Sequence, residues 1–333
     1  MAPGNRKDPK RSVASESSYT LAEFIKDFPD DETCLQWLWR TRCALDDANN
    51  AHCEHCEEIR EFKRYVTKQQ RQSWTCTACG HHLHPTAGTI FHKSSTSLQL
   101  WFYAMYLMTS TRCGISAKQL ERELGVTYKT AWRMFTMIRN ELMVQDDDDE
   151  QLSGEVEMDE TYFGRRPRAS DRAQWATAAN RSVAAQKWSR ERKVPVFGMV
   201  QRGGEVRAYV VPRQMLPEVK KHILVDIEPG TALYTDDASM YDHLKKEGWY
   251  HQTIQHSHAV YVSGDIHTQT IEGFWSLVKR GVSGTHFHVS AKWLQGYLNE
   301  YAWRYNRRGR AGEGMNRKAL FQELIVRSAL FSR

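Results

Sequence analysis

One short segment, "GEVEMDETYFG" (154–164), carries a row of acidic side chains of the kind that binds metal ions. Its alternation of apolar and polar residues predicts a strand with one apolar face and one face that carries Glu155, Glu157 and Asp159. Carboxylates this close together repel one another unless a cation lies among them. We therefore interpret the acidic face as one wall of a metal site, and the alternative is a solvated edge strand.

Two later segments contain acidic residues that could complete such a site. "LYTDDASMYDHL" offers Asp236 or Asp237, and "HTQTIEGFWSLVKRG" offers Glu272. Carboxylate oxygens from three separate elements suit two Mg²⁺ or Mn²⁺ ions, which activate a water or a 3′-hydroxyl and stabilise the leaving oxygen of a phosphodiester. Alternation along a strand shows only that Asp236 and Asp237 face opposite ways, so the pattern leaves that choice open.

Four of the seven cysteines form two closely spaced pairs. Cys53 and Cys56 are followed after 19 residues by Cys76 and Cys79, which is the spacing of a zinc ribbon that holds one structural Zn²⁺. Glu57 follows the first pair where a glycine is expected. The alternative ligands are His52, His55, His81, His82 and His84, and we expect Cys34, Cys43 and Cys113 to be buried thiols.

The elements that must position the acids follow from periodicity. Strands are predicted at 154–163, 194–201, 205–211, 231–237 and 250–256, with helices at 215–226, at 239–247 and from about 268. Three strands and then helix, strand, helix, strand, helix is the order of an RNase H-like α/β fold with a mixed five-stranded sheet and flanking helices. In that fold the three acidic positions converge.

A helix-turn-helix is predicted upstream of these strands, within residues 114–142. Gly125 would end its first helix and Thr127 would cap its second, and a generic helical hairpin is the alternative. The exposed start of the second helix, where base edges are usually read, would carry Tyr128, Lys129, Thr130 and Arg133.

The chain resembles bacterial insertion-sequence transposases of the DDE type that carry an N-terminal zinc ribbon, a group related to the eukaryotic Merlin transposases. The resemblance rests on "VEMDETYFG", "LYTDDASMYDHL", "HTQTIEGFWSLVKRGVSGTHFHVS" and "YLNEYAWRYNRR" and runs from about residue 30. It implies binding of terminal inverted repeats, cleavage of the element ends and their joining to target DNA. It also implies a metal-binding triad of Asp159, Asp236 and Glu272, with Lys279 as the basic residue.

The third acid has two neighbouring alternatives. Gln269 could bind a metal only weakly through its carbonyl oxygen, and Asp265 precedes the helix and is expected to lie too far away. Glu272 and Lys279 are seven residues apart and therefore share one helical face, from which Lys279 could reach a phosphate beside the metals. We expect Glu272 to be the ligand.

Basic segments suggest a polyanionic partner, and a solvated loop is the equal alternative on composition alone. Residues 165–193 carry nine Lys or Arg against two acids, and we interpret them as a flexible arm that follows phosphates through Arg165, Arg166 and Arg168. Toward the C-terminus, Arg304, Arg307, Arg308 and Arg310 could contact DNA or equally pair with acids of the core, and Arg307 and Arg308 are included among the expected DNA-binding residues. The aromatic residues Trp275, Tyr297, Tyr301 and Trp303 have helical spacing and are expected in the core.

Length and composition fit a globular protein of two or three domains. The 333 residues carry a net charge of +6, and the polar first 20 residues have no apolar core of a signal peptide, so we expect a cytoplasmic protein with no membrane partner. The resemblance implies that it is bacterial and associated with the nucleoid. The expected ranges are a disordered tail (1–20), a helix and zinc ribbon (21–92), a helix-turn-helix domain (93–144), an acidic linker (145–153) and the catalytic domain (154–333).

Three functions fit this pattern. The first is an active transposase that works as a homo-oligomer, a dimer or higher, on DNA. The second is a domesticated DNA-binding regulator derived from a transposase, and the third is a metal-dependent nuclease that cuts without joining. Acids at all three positions favour an active enzyme, because an idle site has no physical reason to keep carboxylates together.

Overall fold

The computed structural model describes residues 19–66, 72–111, 113–144, 150–164, 170, 172–173, 193–212, 215–236, 241–254, 267–308 and 317–331. The chain divides into two compact units, one formed by residues 1–112 with 308–333 and the other by residues 113–307. The units differ from the predicted ranges, because the C-terminal residues belong to the first unit and the predicted helix-turn-helix belongs to the second. The predicted domain boundaries themselves stay a prediction.

The first unit combines a small sheet with helices. Its helices are α1 (Leu21–Asp27), α2 (Asp31–Arg42), α3 (Leu98–Ser110) and α10 (Arg317–Leu330), and its antiparallel strands, in spatial order, are β1 (Asn50–Cys53), β2 (Glu58–Val66), β3 (Gln72–Cys76) and β4 (His82–Leu83). The apolar segment 98–108 forms most of α3, which is largely buried, as predicted. Phe321 of α10 packs on Phe24 and Phe28, so the C-terminal helix is part of this core.

The second unit begins with two helices joined by a tight turn, α4 (Ala117–Leu124) and α5 (Tyr128–Met137). Gly125 ends α4 with a left-handed φ of 62°, and the hydroxyl of Thr127 accepts the backbone N–H of Thr130, as the sequence predicted. A π-helical turn, Ile138–Leu142, extends α5. It carries the buried Arg139, whose Nε donates to Glu300 at 2.6 Å and so joins these helices to the rest of the unit.

A five-stranded mixed sheet forms the centre of the second unit. Its strands are β5 (Glu155–Phe163), β6 (Val194–Gln201), β7 (Val206–Val210), β8 (Ala232–Asp236) and β9 (Tyr250–Ile254), and its helices are α6 (Met215–Asp226), α7 (Asp242–Lys246), α8 (Gln269–Gly281) and α9 (Leu294–Asn306). The strand order is β7-β6-β5-β8-β9, antiparallel from β7 to β5 and parallel from β5 to β9. The predicted order of elements and the mixed sheet are confirmed.

The two faces of the sheet bury separate cores. Val156 and Met158 of β5 pack with residues of α6 and α7, and the opposite face packs against α8 and α9. Alternation along β5 therefore places Asp159 on the face covered by α8. Within the part of the chain that the structure describes, no helix is long and apolar enough to cross a membrane.

The three unpaired cysteines differ in exposure. Cys34 is buried and Cys43 is half-buried, but Cys113 is exposed, so its prediction as a buried thiol is wrong. Cys113 lies at the start of the second unit, where it precedes Gly114 in a turn rather than lying within a helix or strand.

Candidate functional site

The four paired cysteines converge at one point of the first unit. Their sulfur atoms all lie within 4.8 Å of one another, with 3.6 Å between Cys53 and Cys79 and 4.0 Å between Cys56 and Cys76. Four sulfurs bound tetrahedrally to zinc at about 2.3 Å lie about 3.8 Å apart, so the cluster fits one Zn²⁺. Among the residues that the structure describes, this cluster contains the four cysteines and no histidine.

Both cysteine pairs sit in equivalent turns. Cys53 ends β1 and Cys76 ends β3, and the backbone N–H of Glu57 and of Gly80 each returns to the carbonyl of the first cysteine of its pair, at 2.8 and 3.0 Å. Glu57 has a φ of 57° and Gly80 one of 76°. Glu57 thus adopts the left-handed conformation for which glycine is expected, which explains how the first turn forms without one.

The register of the sheet brings two of the predicted acids close together. In the parallel pair of β5 and β8, Glu155 lies beside Ala232 and Glu157 beside Tyr234. The observed pairing ends there, but Asp236 follows Tyr234 by two residues as Asp159 follows Glu157, and the charge of Asp236 acts on Asp159. Asp237 lies outside the described residues, so the choice of Asp236 over Asp237 stays a prediction.

Helix α8 brings the third acid and the lysine to the same place. Glu272 lies in the first turn of α8, and Glu272 and Lys279 line one open groove of about 510 Å³ together with Asp159. Gln269, the first residue of α8, is exposed and is not part of the lining of that groove. Asp265 lies outside the described residues.

A glycine lets α8 approach the sheet closely. Gly198 of β6 is the direct neighbour of Asp159 across the antiparallel pair. A Cβ atom at position 198 would lie 2.4 Å from the ring of Trp275, a residue of α8 that packs directly on Gly198. The missing side chain therefore lets α8 pack closely against β6 next to Asp159, a role that a lone glycine in "VPVFGMVQ" does not reveal in the sequence.

The electrostatics of the groove indicate crowded carboxylates. Burial, followed by repulsion from Asp236 and Glu272, raises the pKa of Asp159 to about 6, although Lys279 opposes this shift. Burial likewise raises the pKa of Glu160 to about 8, and its carboxyl accepts a hydrogen bond from the hydroxyl of Tyr241. Divalent cations would relieve this repulsion, and carboxylate oxygens are ligands of the kind that suits Mg²⁺ or Mn²⁺.

The remaining acids of β5 do not line this groove, which corrects the interpretation of the whole acidic face as a metal wall. Arg202 supplies the cation between Glu155 and Glu157, with hydrogen bonds of 2.9 and 2.8 Å. Glu157 is fully buried and also accepts the backbone N–H groups of Thr270 at 2.8 Å and of Ile271 at 3.1 Å. Its carboxylate therefore caps the start of α8.

The side chain that caps α8 belongs to a strand, β5, and not to the residue that directly precedes the helix. Thr268, the residue that precedes α8, makes no side-chain capping hydrogen bond. Glu157 accepts the N–H groups at the second and third helical positions, which a capping side chain normally satisfies from within the helix. A single short segment of β5 thus carries Asp159 and holds the helix that carries Glu272.

The predicted DNA-contacting residues are only partly described. Tyr128, Lys129 and Arg133 are exposed at the start of α5, and Thr130 is half-buried. Arg307 is half-buried with its guanidinium 4.8 Å from the centre of the Trp303 ring, and Arg308 is exposed. The arginines of the basic arm, Arg165, Arg166 and Arg168, lie outside the described residues, as does Arg310.

The contacts of α8 and α9 test two further expectations. Arg304 pairs with the buried Glu300 at 2.8 Å, so it joins core charges. The aromatic residues expected in the core are buried, with 2 to 7% exposure: Trp275, Tyr297, Tyr301 and Trp303. Sequence periodicity therefore identified these rings as core correctly.

The chain is similar to known proteins of transposable elements. A family model described as the ISXO2-like transposase domain matches residues 151–306, which contain the whole five-stranded sheet together with α8 and α9. A protein described as an uncharacterized protein in the transposable element ISH50 of Halobacterium salinarum is 31% identical over 244 residues. The aligned region covers 72% of this chain and 81% of that protein.

Proposed function

We propose that this chain, which belongs to the ISXO2-like family of insertion-sequence transposases, cuts the ends of its element and joins them to target DNA by transesterification. The observation that carries the proposal is that Asp236 and Glu272 both lie close enough to Asp159 to raise its pKa, while Glu272 and Lys279 line the same groove as Asp159. The strand order, with an antiparallel β-meander beside two parallel strands, supports an RNase H-like fold for the catalytic domain.

The acids serve as ligands in this proposal. Asp159, Asp236 and Glu272 would hold two Mg²⁺ or Mn²⁺ ions, which when bound activate a water or a 3′-hydroxyl and stabilise the leaving oxygen. Lys279, on the same face of α8 as Glu272, would bind a non-bridging oxygen of the phosphate that is attacked. Glu157 and Gly198 act indirectly, because they fix where α8 lies on the sheet.

The other parts of the chain would deliver DNA to this groove. The zinc ribbon is structural, because four cysteines leave no open position on the ion. Helices α4 and α5 would act as a helix-turn-helix that binds the terminal inverted repeats through Tyr128, Lys129 and Arg133. The basic arm would add affinity without sequence choice, and pairing of two element ends implies a dimer or a higher oligomer at the nucleoid.

Strand transfer in vitro tests the proposal, with labelled element ends, target DNA and Mg²⁺. We expect Asp159→Asn, Asp236→Asn and Glu272→Gln each to abolish cleavage and joining while end binding persists, because only the metal ligands are changed. Gln269→Ala is the matched control at the start of the same helix, and it should remain active.

Three results would contradict parts of the proposal. Activity that survives in Glu272→Gln and is lost in Gln269→Ala would move the third ligand to Gln269. Cleavage by the wild type without joining would identify a metal-dependent nuclease. End binding without any cleavage would identify a DNA-binding regulator.

A further inference from the structure

Phe287 has an unusual position for a large apolar side chain. It is 85% exposed, and its backbone has a φ of 60° and a ψ of −45°. Left-handed φ values strain any residue except glycine, and exposure of an aromatic ring forgoes its hydrophobic stabilisation. A residue that combines both features is a candidate for a binding role.

Two grooves of the second unit meet at this residue. The first, of about 520 Å³, runs between α4, α5 and residues 285–293 and is bounded by Lys118, Arg122 and Tyr128. The second, of about 450 Å³, runs past Tyr162 to Lys279, and both grooves are lined by Phe287 and the two residues that follow it. Because Lys279 also lines the groove of Asp159 and Glu272, the two grooves lead from α5 to the proposed catalytic centre.

The first groove, which we call the aromatic cleft, combines flat rings with cations. Trp132 stacks on Tyr128 and meets Trp293 edge-on, with ring centres 6.3 and 5.4 Å apart. Lys118, which lines the cleft, lies 5.6 Å from the Tyr128 ring, and Lys292, next to the lining residue Trp293, lies 4.8 Å from the ring of that tryptophan. Rings interleaved with cations are the composition of surfaces that bind unpaired nucleobases and their phosphates.

The size of the cleft favours one strand over two. Sites that enclose a single small molecule have volumes of about 300 to 1,000 Å³, and the aromatic cleft lies within that range. Such a space accommodates one or two nucleotides but not a base-paired duplex. An exposed ring at its edge is placed to stack on a base that has left its partner.

We propose that Phe287 and the aromatic cleft bind an unpaired nucleobase of the DNA strand that is processed at the groove of Asp159 and Glu272. The assignment rests on the proposed function for the identity of that strand, but the binding itself requires no catalysis. Phe287 supplies the stacking surface, while Lys118 and Arg122 neutralise the neighbouring phosphates.

The test compares full-length zinc-loaded variants in fluorescence anisotropy without divalent metal ions. The probes are a labelled eight-nucleotide oligothymidylate and a blunt 20-base-pair duplex. Phe287→Gly should weaken binding of the oligothymidylate by about 5- to 150-fold, the effect of one stacked base, and leave duplex binding within about twofold. Phe287→Trp should retain binding, and Tyr250→Ala is the control, since Tyr250 is 59% exposed and lines neither groove.

Loss of the fold is separated from loss of binding by the choice of glycine. Glycine adopts a φ of 60° without strain, so Phe287→Gly should melt at the wild-type temperature or above it. Cross-linking of a 5-iodouracil oligonucleotide to the wild type should map to the peptide that contains residues 282–293.

Several outcomes would overturn the inference. These are wild-type affinity of Phe287→Gly for the oligothymidylate, an equal loss on the duplex, or no oligothymidylate binding by the wild type. Failure of strand transfer with intact oligothymidylate binding would instead reject the proposed function and leave the base-binding site in place.

Discussion

Glu157 offers a direct test of how the fold positions the proposed centre. Its buried carboxylate accepts hydrogen bonds from Arg202, from the Thr270 hydroxyl and from the N–H groups of Thr270 and Ile271, at 2.8 to 3.1 Å. The perturbations are Glu157→Ala, which removes the acceptor, and Glu157→Gln, which keeps an acceptor oxygen but removes the charge. Both should loosen the first turn of α8, where Glu272 lies.

The contacts give the expected magnitudes. Removal of one partner of a buried ion pair costs about 3 to 5 kcal/mol, and the lower end applies to Glu157→Ala, because Arg202 keeps Glu155 and the carbonyl of His267. A hydrogen bond to a charged group contributes about 1.5 to 3 kcal/mol against about 1 kcal/mol for a neutral one. Glu157→Gln turns hydrogen bonds to a charged acceptor into hydrogen bonds to a neutral one, so it should lower the free energy of unfolding by about 2 kcal/mol.

A matched control lies two residues earlier on the same strand face. Glu155 binds the same arginine, but its side chain is 48% exposed, so Glu155→Gln should cost less than about 1 kcal/mol. Guanidinium denaturation followed by tryptophan fluorescence measures the free energy of unfolding. Strand transfer at rising Mg²⁺ concentration then shows whether displacement of Glu272 weakens metal-dependent joining.

Two results would refute the argument. If Glu157→Gln destabilises the protein no more than Glu155→Gln does, the carboxylate is not a significant cap. If Glu157→Ala destabilises the protein but needs no more Mg²⁺ and joins strands at the wild-type rate, Glu157 stabilises α8 without positioning Glu272.

Three further predictions test other parts of the structure. Gly198→Ala should lower stability by about 1 to 3 kcal/mol and reduce strand transfer, because its Cβ would push Trp275 and the helix of Glu272 off the sheet; wild-type melting and transfer would contradict this. Cys76→Ser should lose the one zinc ion per chain that metal analysis finds in the wild type, and full retention would reject the four-cysteine site. Burial lowers the pKa of His251 from 6.5 to about 4. The free energy of unfolding should therefore fall as the pH is lowered from 6.5 to 4, by at most about 3 kcal/mol. Denaturation of His251→Gln at the same pH values should lack this part of the pH dependence.

The sequence by itself determined the local elements and the features that depend on near neighbours. The bounds of the strands and of α6, the left-handed Gly125 and the cap by Thr127 all follow from contacts within a few residues. The two cysteine turns are equally local, because each pair spans three peptide bonds. The hairpin between β2 and β3 is enough to bring the two turns next to each other. Resemblance to a known family then supplied the choice of Asp236, which periodicity had left open.

The tertiary structure decided which acidic side chains share the groove. Alternation put Glu157 and Asp159 on one face of β5, but it could not show that Arg202 and the start of α8 would neutralise the first and leave the second in the groove. Those partners lie 45 and 113 residues away along the chain. An ionised carboxylate is stabilised by whatever donors surround it, and those donors are brought together only when distant segments pack.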